Sequence, residues 1–196
     1  QLSSRVLAVA ALRDVLVAFQ AAALPKPEEM QEAVARDVDR LRALQNDDGG
    51  FGFWRRGDES WPYVSIHVAH ALARAKAKGF AVPDDTLDRS RRYLREIDRH
   101  IPSEYGKDVR RTLQAYAFSG RTLLGDADPG RARALVREAG VEGLSFEALG
   151  WILPVLSKDA GSSAEVAAIR RRLANGVVET AGAAHFVVSY GDGAHL

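Results

Sequence analysis

Apolar and polar positions along this chain follow two alternating patterns. One kind of segment is apolar on most sides. The first, about 3 to 22, carries Val6, Leu7, Val9, Leu12, Val15, Leu16 and Phe19, and a helix apolar all round is expected to be buried all round. Ser3 or Ser4 is expected to cap it. The other kind carries one apolar stripe on a charged helix. Between 27 and 44 that stripe is Met30, Val34, Val38, Leu41 and Leu44, with Pro27, Glu28 and Glu29 suited to the first turn. The alternation then repeats. Residues 60 to 78 are apolar over two faces and stop at Gly79. Residues 84 to 98 are charged, with the stripe Leu87, Leu94 and Ile97. A helix over 106 to 119 follows, then the short charged "PGRARALVREAG". "SFEALGWILPVLSKDAG" is apolar again, with Pro154 expected to kink it, and "SAEVAAIRRRLANG" closes with the stripe Val166, Ile169 and Leu173. "HFVVSYGDG" then reads as a strand and a turn.

This makes about eight helices in buried and amphipathic pairs, repeating every 35 to 45 residues or so, a spacing at which helical-hairpin arrays occur. The pairing predicts two layers, an inner ring of helices covered by an outer one. A linear solenoid is the competing architecture. The expected class is all-α, a partial α/α toroid of helical hairpins over 1–176 with a strand-and-loop tail over 177–196.

Composition narrows the chemistry. With 196 residues, 46% hydrophobic and 27% charged, the chain is ordinary for a folded domain, and a net charge of +1 gives it no field to recruit nucleic acid. It has no cysteine, so no disulfide, thiolate metal site or cysteine nucleophile exists within it. No apolar run approaches the roughly 18 residues of a membrane span. The first apolar segment is punctuated by Arg5, Arg13 and Asp14 and does not read as a signal peptide. The chain begins in helix-forming sequence without Met and stops in a turn, so a piece of a larger protein is expected.

The stretch "LQNDDGGFGFWRRGDESWPYVSIHVAHAL" holds the densest candidate chemistry. It has no Lys-Ser or Lys-Thr for a P-loop. It lacks the strand and the third glycine of a dinucleotide fingerprint. Counted as an EF-hand from Asp47, it has Gly49 and Asp58 at ligand positions that do not fit. A structural role is expected instead. Asp47 and Asp48 initiate a turn, and Gly49, Gly50 and Gly52 permit positive φ or close approach. Phe51, Phe53 and Trp54 fold back over helix ends, and Ser60 caps the next helix, with Pro62 in its first turn.

Gln45, Asp48, Gly49, Gly50, Phe51 and Gly52, followed by Ser60, Trp61 and Val64, resemble the thioester domain of the alpha-2-macroglobulin and complement family, particularly its bacterial members. The tail "SYGDGAHL" resembles the segment after that domain's helical hairpins. The resemblance covers most of the chain, which it makes a single partial domain over 1–196. It implies an α/α toroid and a non-enzymatic role as part of a broad-range endopeptidase inhibitor, with no cofactor. Its partners would be target proteases, met through the full-length parent, and other domains of that parent. No nucleic acid and no direct membrane contact by this segment is implied. The parent would be periplasmic or on the cell surface, often lipid-anchored upstream of this segment. Family members carry Cys-x-Glu-Gln at the start of a buried helix, where Cys and Gln side chains form an internal thioester. The resemblance makes Gln1 the acyl half, with its Cys three residues upstream.

Other residues read as follows. His67 and His70 share a helix face, with no third metal ligand apparent. His185 and His195 fall in the tail, and a His near the thioester assists acyl transfer in some family members. Glu104, Tyr105 and Asp108 serve a helix start. The Arg runs at 89–92 and 170–172, and Asp37 with Asp39, are expected on solvated outer faces. A toroid terpene cyclase or prenyltransferase is the enzyme alternative; its Asp-x-Asp-Asp motif and its Cys-containing zinc site are both missing. A non-covalent helical-repeat binding scaffold is the third class.

Overall fold

The computed structural model describes residues 1–19 and 26–186, the side chains of 13–19 excepted. The described residues are mostly helical. The helices are α1 (Leu2–Phe19), α2 (Pro27–Leu44), α3 (Pro62–Ala77), α4 (Asp84–Arg95), α5 (Ile97–His100), α6 (Lys107–Leu123), α7 (Pro129–Ala139), α8 (Phe146–Leu156) and α9 (Ser163–Gly176). Two strands follow, β1 (Val177–Thr180) and β2 (Ala183–Phe186). The class is all-α, as the pattern predicts. No described helix is long and apolar enough to cross a membrane. The chain divides into two compact units, Gln1–His100 and Ile101–Leu196.

In the first unit, α3 is the buried element. Ile66, Val68, Ala69, Ala71, Leu72, Ala73 and Ala75 are all buried, with α1 and α4 packed against it. α2 packs on α1 and buries the stripe Met30, Val34, Val38 and Leu41. Its first turn carries Pro27, Glu28 and Glu29, and the Lys26 backbone N–H donates to Glu29 Oε2 at 3.0 Å, satisfying one orphan donor of the helix end. α4 buries Leu87, Tyr93 and Leu94. It breaks at Glu96, so the single helix expected to Asp98 is two.

α1 departs from expectation. Only Ser3, Val6 and Ala10 are buried over residues 1–12, a 3–4 spacing that marks one face; Leu12 is 50% exposed. Neither Ser3 nor Ser4 caps it, because the helix already begins at Leu2. Asp37 also departs. It lies on a charged helix yet is only 2% exposed, and its carboxylate is gripped by the Arg5 guanidinium of α1. A buried carboxylate needs such a partner to stay charged. That pairing raises the Arg5 pKa.

In the second unit, α6 and α8 form the centre, with α7 and α9 against α8. The core includes Ala115, Phe118, Ala132, Val136, Leu149, Ile152, Leu156 and Ile169. Asp128 caps α7 by accepting from Arg131 N at 3.0 Å, and Ser145 caps α8 by accepting from Ala148 N at 3.0 Å. α8 runs through Pro154 and ends two residues later at Leu156, so little helix lies beyond the proline for a kink to redirect. The strands pair antiparallel, Val177 with Phe186 and Thr180 with Ala183. The strand read from His185 onward therefore starts earlier and has a partner that the sequence reading missed. Phe186 stacks on Phe146 at 4.8 Å, and the Arg172 guanidinium lies 4.5 Å over the same ring. Arg172 is thus half-buried; in the first unit Arg89 and Arg91 are half-buried as well, whereas Arg92, Arg170 and Arg171 face solvent.

Candidate functional site

The glycine-rich loop between α2 and α3 is a closed hydrogen-bonded unit. Gln45 ends α2 with its side chain fully buried. Its Nε2 lies 3.0 Å from the Gly49 carbonyl, 3.1 Å from the Thr86 carbonyl and 3.1 Å from Ser90 Oγ. Gln45 therefore ties the loop to α4. Its backbone forms an antiparallel bridge with Phe51. Asp48 Oδ1 accepts from Gly50 N at 2.8 Å, the side-chain-closed turn expected of an Asp at this place. The same oxygen accepts from Ser60 Oγ at 2.9 Å. Asp47 instead points outward and pairs with Arg56 at 2.7 Å.

Ser60 does not cap α3. The cap position is Trp61, Pro62 opens the helix, and the Ser60 hydroxyl is held by Asp48 and by Asn46 Nδ2 at 2.9 Å. Asn46 is the residue that sequence reasoning missed here. Its Nδ2 also donates to the Asp58 carbonyl at 2.8 Å, and its Oδ1 accepts from Gly57 N at 2.8 Å, so one side chain spans the whole loop. Its place beside Gln45 is visible in the sequence; its bonds to residues more than ten positions on are not. Ser65 was missed too, and accepts from Phe51 N at 2.9 Å.

The glycines have distinct reasons. Gly49 has φ +91°, and a Cβ there would lie 2.2 Å from the Arg89 carbonyl oxygen. At Gly50 a Cβ would come 2.5 Å from Tyr93 Cε2 and 2.7 Å from Ser60 Oγ. At Gly52 it would come 2.8 Å from the Arg55 carbonyl. The loop is pressed against α4 and against its own return.

Of the aromatics, only Phe51 folds inward, at 2% exposure. Phe53 is 53% exposed and Trp54 82%, contrary to the expectation that both cover helix ends. The Phe53 ring lies 4.8 Å from that of Trp54 and 5.5 Å from that of Trp61, so the three make an exposed aromatic rim. This rim borders a pocket of about 680 Å³ whose wall includes Gln1, Ser4, Phe53, Trp54, Tyr63 and His67. Gln1 is exposed at the entry to α1, and its carbonyl accepts from Arg5 N at 3.0 Å. Ser4 Oγ lies 3.3 Å from His67 Nε2, and the Tyr63 ring stacks on the His67 ring at 6.0 Å and 4°.

Burial lowers the His67 pKa. Burial also lowers His70, to about 4, helped by Arg74 and then by His67. Arg74 Nε lies 3.4 Å from His70 Nε2. Both imidazoles are therefore neutral at pH 7. Among the described residues no group of three or more His, Cys, Asp or Glu side chains could hold a metal. His185 lies exposed in β2 opposite Val178; His195 and the segment "SYGDGAHL" lie outside the described residues.

No family model matches the chain. It is similar to the alpha-2-macroglobulin of Rickettsia conorii, 32% identical over 71 residues, which is 36% of this chain and 4% of that protein. It is also similar to the alpha-2-macroglobulin of Escherichia coli K12, 34% identical over 74 residues, or 35% of this chain and 4% of that one. The matched segments are thus a small fraction of these relatives' length. In fold, the chain is similar to a Salmonella alpha-2-macroglobulin reacted with methylamine, with a TM-score of 0.67 and 22% identity over 80% of this chain and 11% of that one. An Escherichia coli alpha-2-macroglobulin activated by trypsin gives a TM-score of 0.65 and 22% identity over 75% of this chain and 10% of that one. By sequence over about a third of its length and by fold over three quarters or more, this chain is related to a segment of the bacterial alpha-2-macroglobulins.

Proposed function

We propose that this chain is part of the thioester-type α/α toroid of a bacterial alpha-2-macroglobulin-like endopeptidase inhibitor, and that its parent works in the periplasm or at the cell surface as a trap rather than an enzyme. The observation that carries this reading is the sequence match to bacterial alpha-2-macroglobulins, joined to a fold match of TM-score 0.67. The site geometry is compatible with it. Gln1 sits exposed at the first turn of α1, in the wall of an aromatic-rimmed pocket.

In this reading the Gln1 side-chain acyl group is bonded to the sulfur of a Cys three residues upstream. A thioester carbonyl is far more electrophilic than an amide and has to be kept from water until it is needed. Cleavage of a bait segment elsewhere in the parent exposes it. A nucleophile of the protease, such as a lysine amine, then attacks the acyl carbon. The C–S bond breaks, the sulfur leaves with the electron pair and takes up the proton that the amine nitrogen loses, and the protease is held by an amide. Target proteases and the remaining domains of the parent are the partners.

The test is made on the full-length parent, treated with methylamine while free thiols are titrated. Release of one thiol per chain, with the methylamine mass found on Gln1, is the expected result. If no thiol appears and Gln1 gains no mass, the thioester assignment is wrong.

A further inference from the structure

Arg5 and Asp37 join the two helices that build opposite parts of the pocket wall. Gln1 and Ser4 of α1 line that pocket, and so do Leu41 and Leu44 of α2 and Phe53 and Trp54 of the loop that follows. Arg5 stands one turn after Gln1, and Asp37 one turn before Leu41. The contact uses the whole guanidinium fork. Arg5 Nε donates to Asp37 Oδ2, and a terminal nitrogen donates to Asp37 Oδ1. Two bonds from one planar group fix direction as well as distance. The Asp37 side chain is buried and that of Arg5 is exposed, so the cation lies on the solvent side of the pair. Arg5 is also bonded to Gln1 through its backbone. Its N–H donates to the Gln1 carbonyl at 3.0 Å and closes the first turn of α1. Over residues 1–5 no apolar side chain is fully buried; Leu2 is half-buried, and Val6 is the first that is. Apolar burial has no direction and is sparse here, so the ion pair is the directional anchor of this turn.

We infer that Arg5 and Asp37 are positioning residues for Gln1: their pair clamps the first turn of α1 to α2 and keeps the Gln1 acyl carbon at one place in the pocket wall. The inference rests on the thioester reading of Gln1 given above. Neither residue touches a reacting atom; both act through the turn that bears Gln1. A thioester waiting for its trigger has one reaction to avoid. A water oxygen bonds to the acyl carbon and the C–S bond breaks. The sulfur leaves with the electron pair and takes up the proton that the water loses. A carboxylic acid and a thiol remain, and the chain can no longer couple to a protease. Shielding from water works only on an acyl carbon that stays in place. Reactivity is also steep in position, since a misplacement of about 1 Å changes an organised reaction by up to about 10²-fold. A clamp one turn from the acyl group therefore governs how long the thioester survives.

The experiment uses the full-length parent before any protease is added, and follows free thiol with time in buffer alone and with methylamine. Asp37→Asn keeps the size of the side chain and removes its charge. Arg5→Lys keeps the charge and removes the fork; as the milder change it decides the matter if Asp37→Asn does not fold. Leu94→Ala, in the buried face of α4, is the control for stability lost elsewhere in the first unit, and urea midpoints rank the variants. All are expected to reach one thiol per chain once methylamine has acted to completion. Spontaneous release in buffer is expected to rise roughly tenfold in Asp37→Asn and by a smaller factor in Arg5→Lys. Leu94→Ala is expected to keep the wild-type rate although it loses more stability than either. Wild-type rates in both pair variants overturn the positioning role. A rise in Leu94→Ala equal to that in Asp37→Asn overturns it as well, since general loss of stability would then explain the leak. No thiol from wild type with methylamine overturns the thioester reading itself and the positioning with it, an outcome distinct from the other two.

Discussion

Gly49 and Arg89 meet backbone to backbone. The site of a Cβ on Gly49 lies 2.2 Å from the Arg89 carbonyl oxygen, and Gly49 also has φ +91°. Two separate constraints therefore exclude a side chain, one conformational and one steric. Gly57 has the same φ of +91° with nothing near its absent Cβ. The pair is a built-in control. Gly57→Ala is expected to cost about 1 kcal/mol, the conformational part alone. Gly49→Ala is expected to cost about 3 kcal/mol or more, because α4 must move off the loop. Urea unfolding of the two variants measures the difference, and equal costs would show that the contact with Arg89 carries no weight.

The aromatics of the same loop divide by burial. Phe51 is 2% exposed and its backbone is bonded to Ser65, whereas Trp54 is 82% exposed. Phe51→Ala is expected to destabilise by about 3–5 kcal/mol through lost transfer energy and a residual cavity. Trp54→Ala is expected to stay within about 0.5 kcal/mol. Acrylamide quenching of the tryptophan emission should drop markedly in Trp54→Ala, since the most accessible indole is removed. A stability loss at Trp54 comparable with that at Phe51 would show that the rim folds inward.

In the second unit Arg121 joins the end of α6 to the start of α7. It is 6% exposed, and its guanidinium reaches Asp126 at 2.8 Å and Asp128 at 3.1 Å. Asp128 is also the α7 cap. Removing the cation takes the guanidinium away from two partly buried carboxylates and loosens the cap. Arg121→Ala is expected to cost about 2–4 kcal/mol, and Arg121→Lys to recover only part of it, because an ammonium lacks the fork that serves both acids. Denaturant midpoints of the two variants provide the check; full recovery by lysine would mean that charge alone matters.

The helices that bury one clear face were legible in the sequence because period is a local property. The stripe of α2 and the apolar faces of α3 and α8 follow from residue types within one helix. What failed depended on distant partners. Asp37 looks like surface within its own charged helix, and only Arg5, 32 positions away, makes its burial tolerable. Ser60 has the right type for a helix cap, but Asp48 and Asn46 claim its hydroxyl and Pro62 sets the helix start. The outward turn of Phe53 and Trp54 carries no periodic signal at all. At four residues, β1 is too short for alternation to announce it. At the candidate site, the spacing of Gln1 and Ser4 could be read from the sequence, whereas the approach of His67 to Ser4 needed the packing of α1 on α3.

The two imidazoles of α3 predict an acid-sensitive first unit. The His70 pKa is lowered by burial, then by Arg74 and by His67, to about 4, from an ordinary value near 6.5. His67 is shifted in the same direction. Between those pH values the unfolded chain holds protons on these side chains that the folded one does not, so stability rises with pH there. The contribution is fully present above pH 6.5 or so and is lost as pH falls toward about 4. With solvent screening of a partly accessible ring, the loss attributable to His70 is on the order of 1–2 kcal/mol. His70→Leu keeps the volume approximately and removes the titration. Carboxylates elsewhere also respond to acid, so the quantity to follow is the difference between wild type and variant. Urea unfolding at intervals from pH 7 to 4 should show that difference growing by about 1–2 kcal/mol in favour of the variant. A constant difference across the range would mean that His70 takes up its proton without cost in the folded protein, and that Arg74 moves aside to let it.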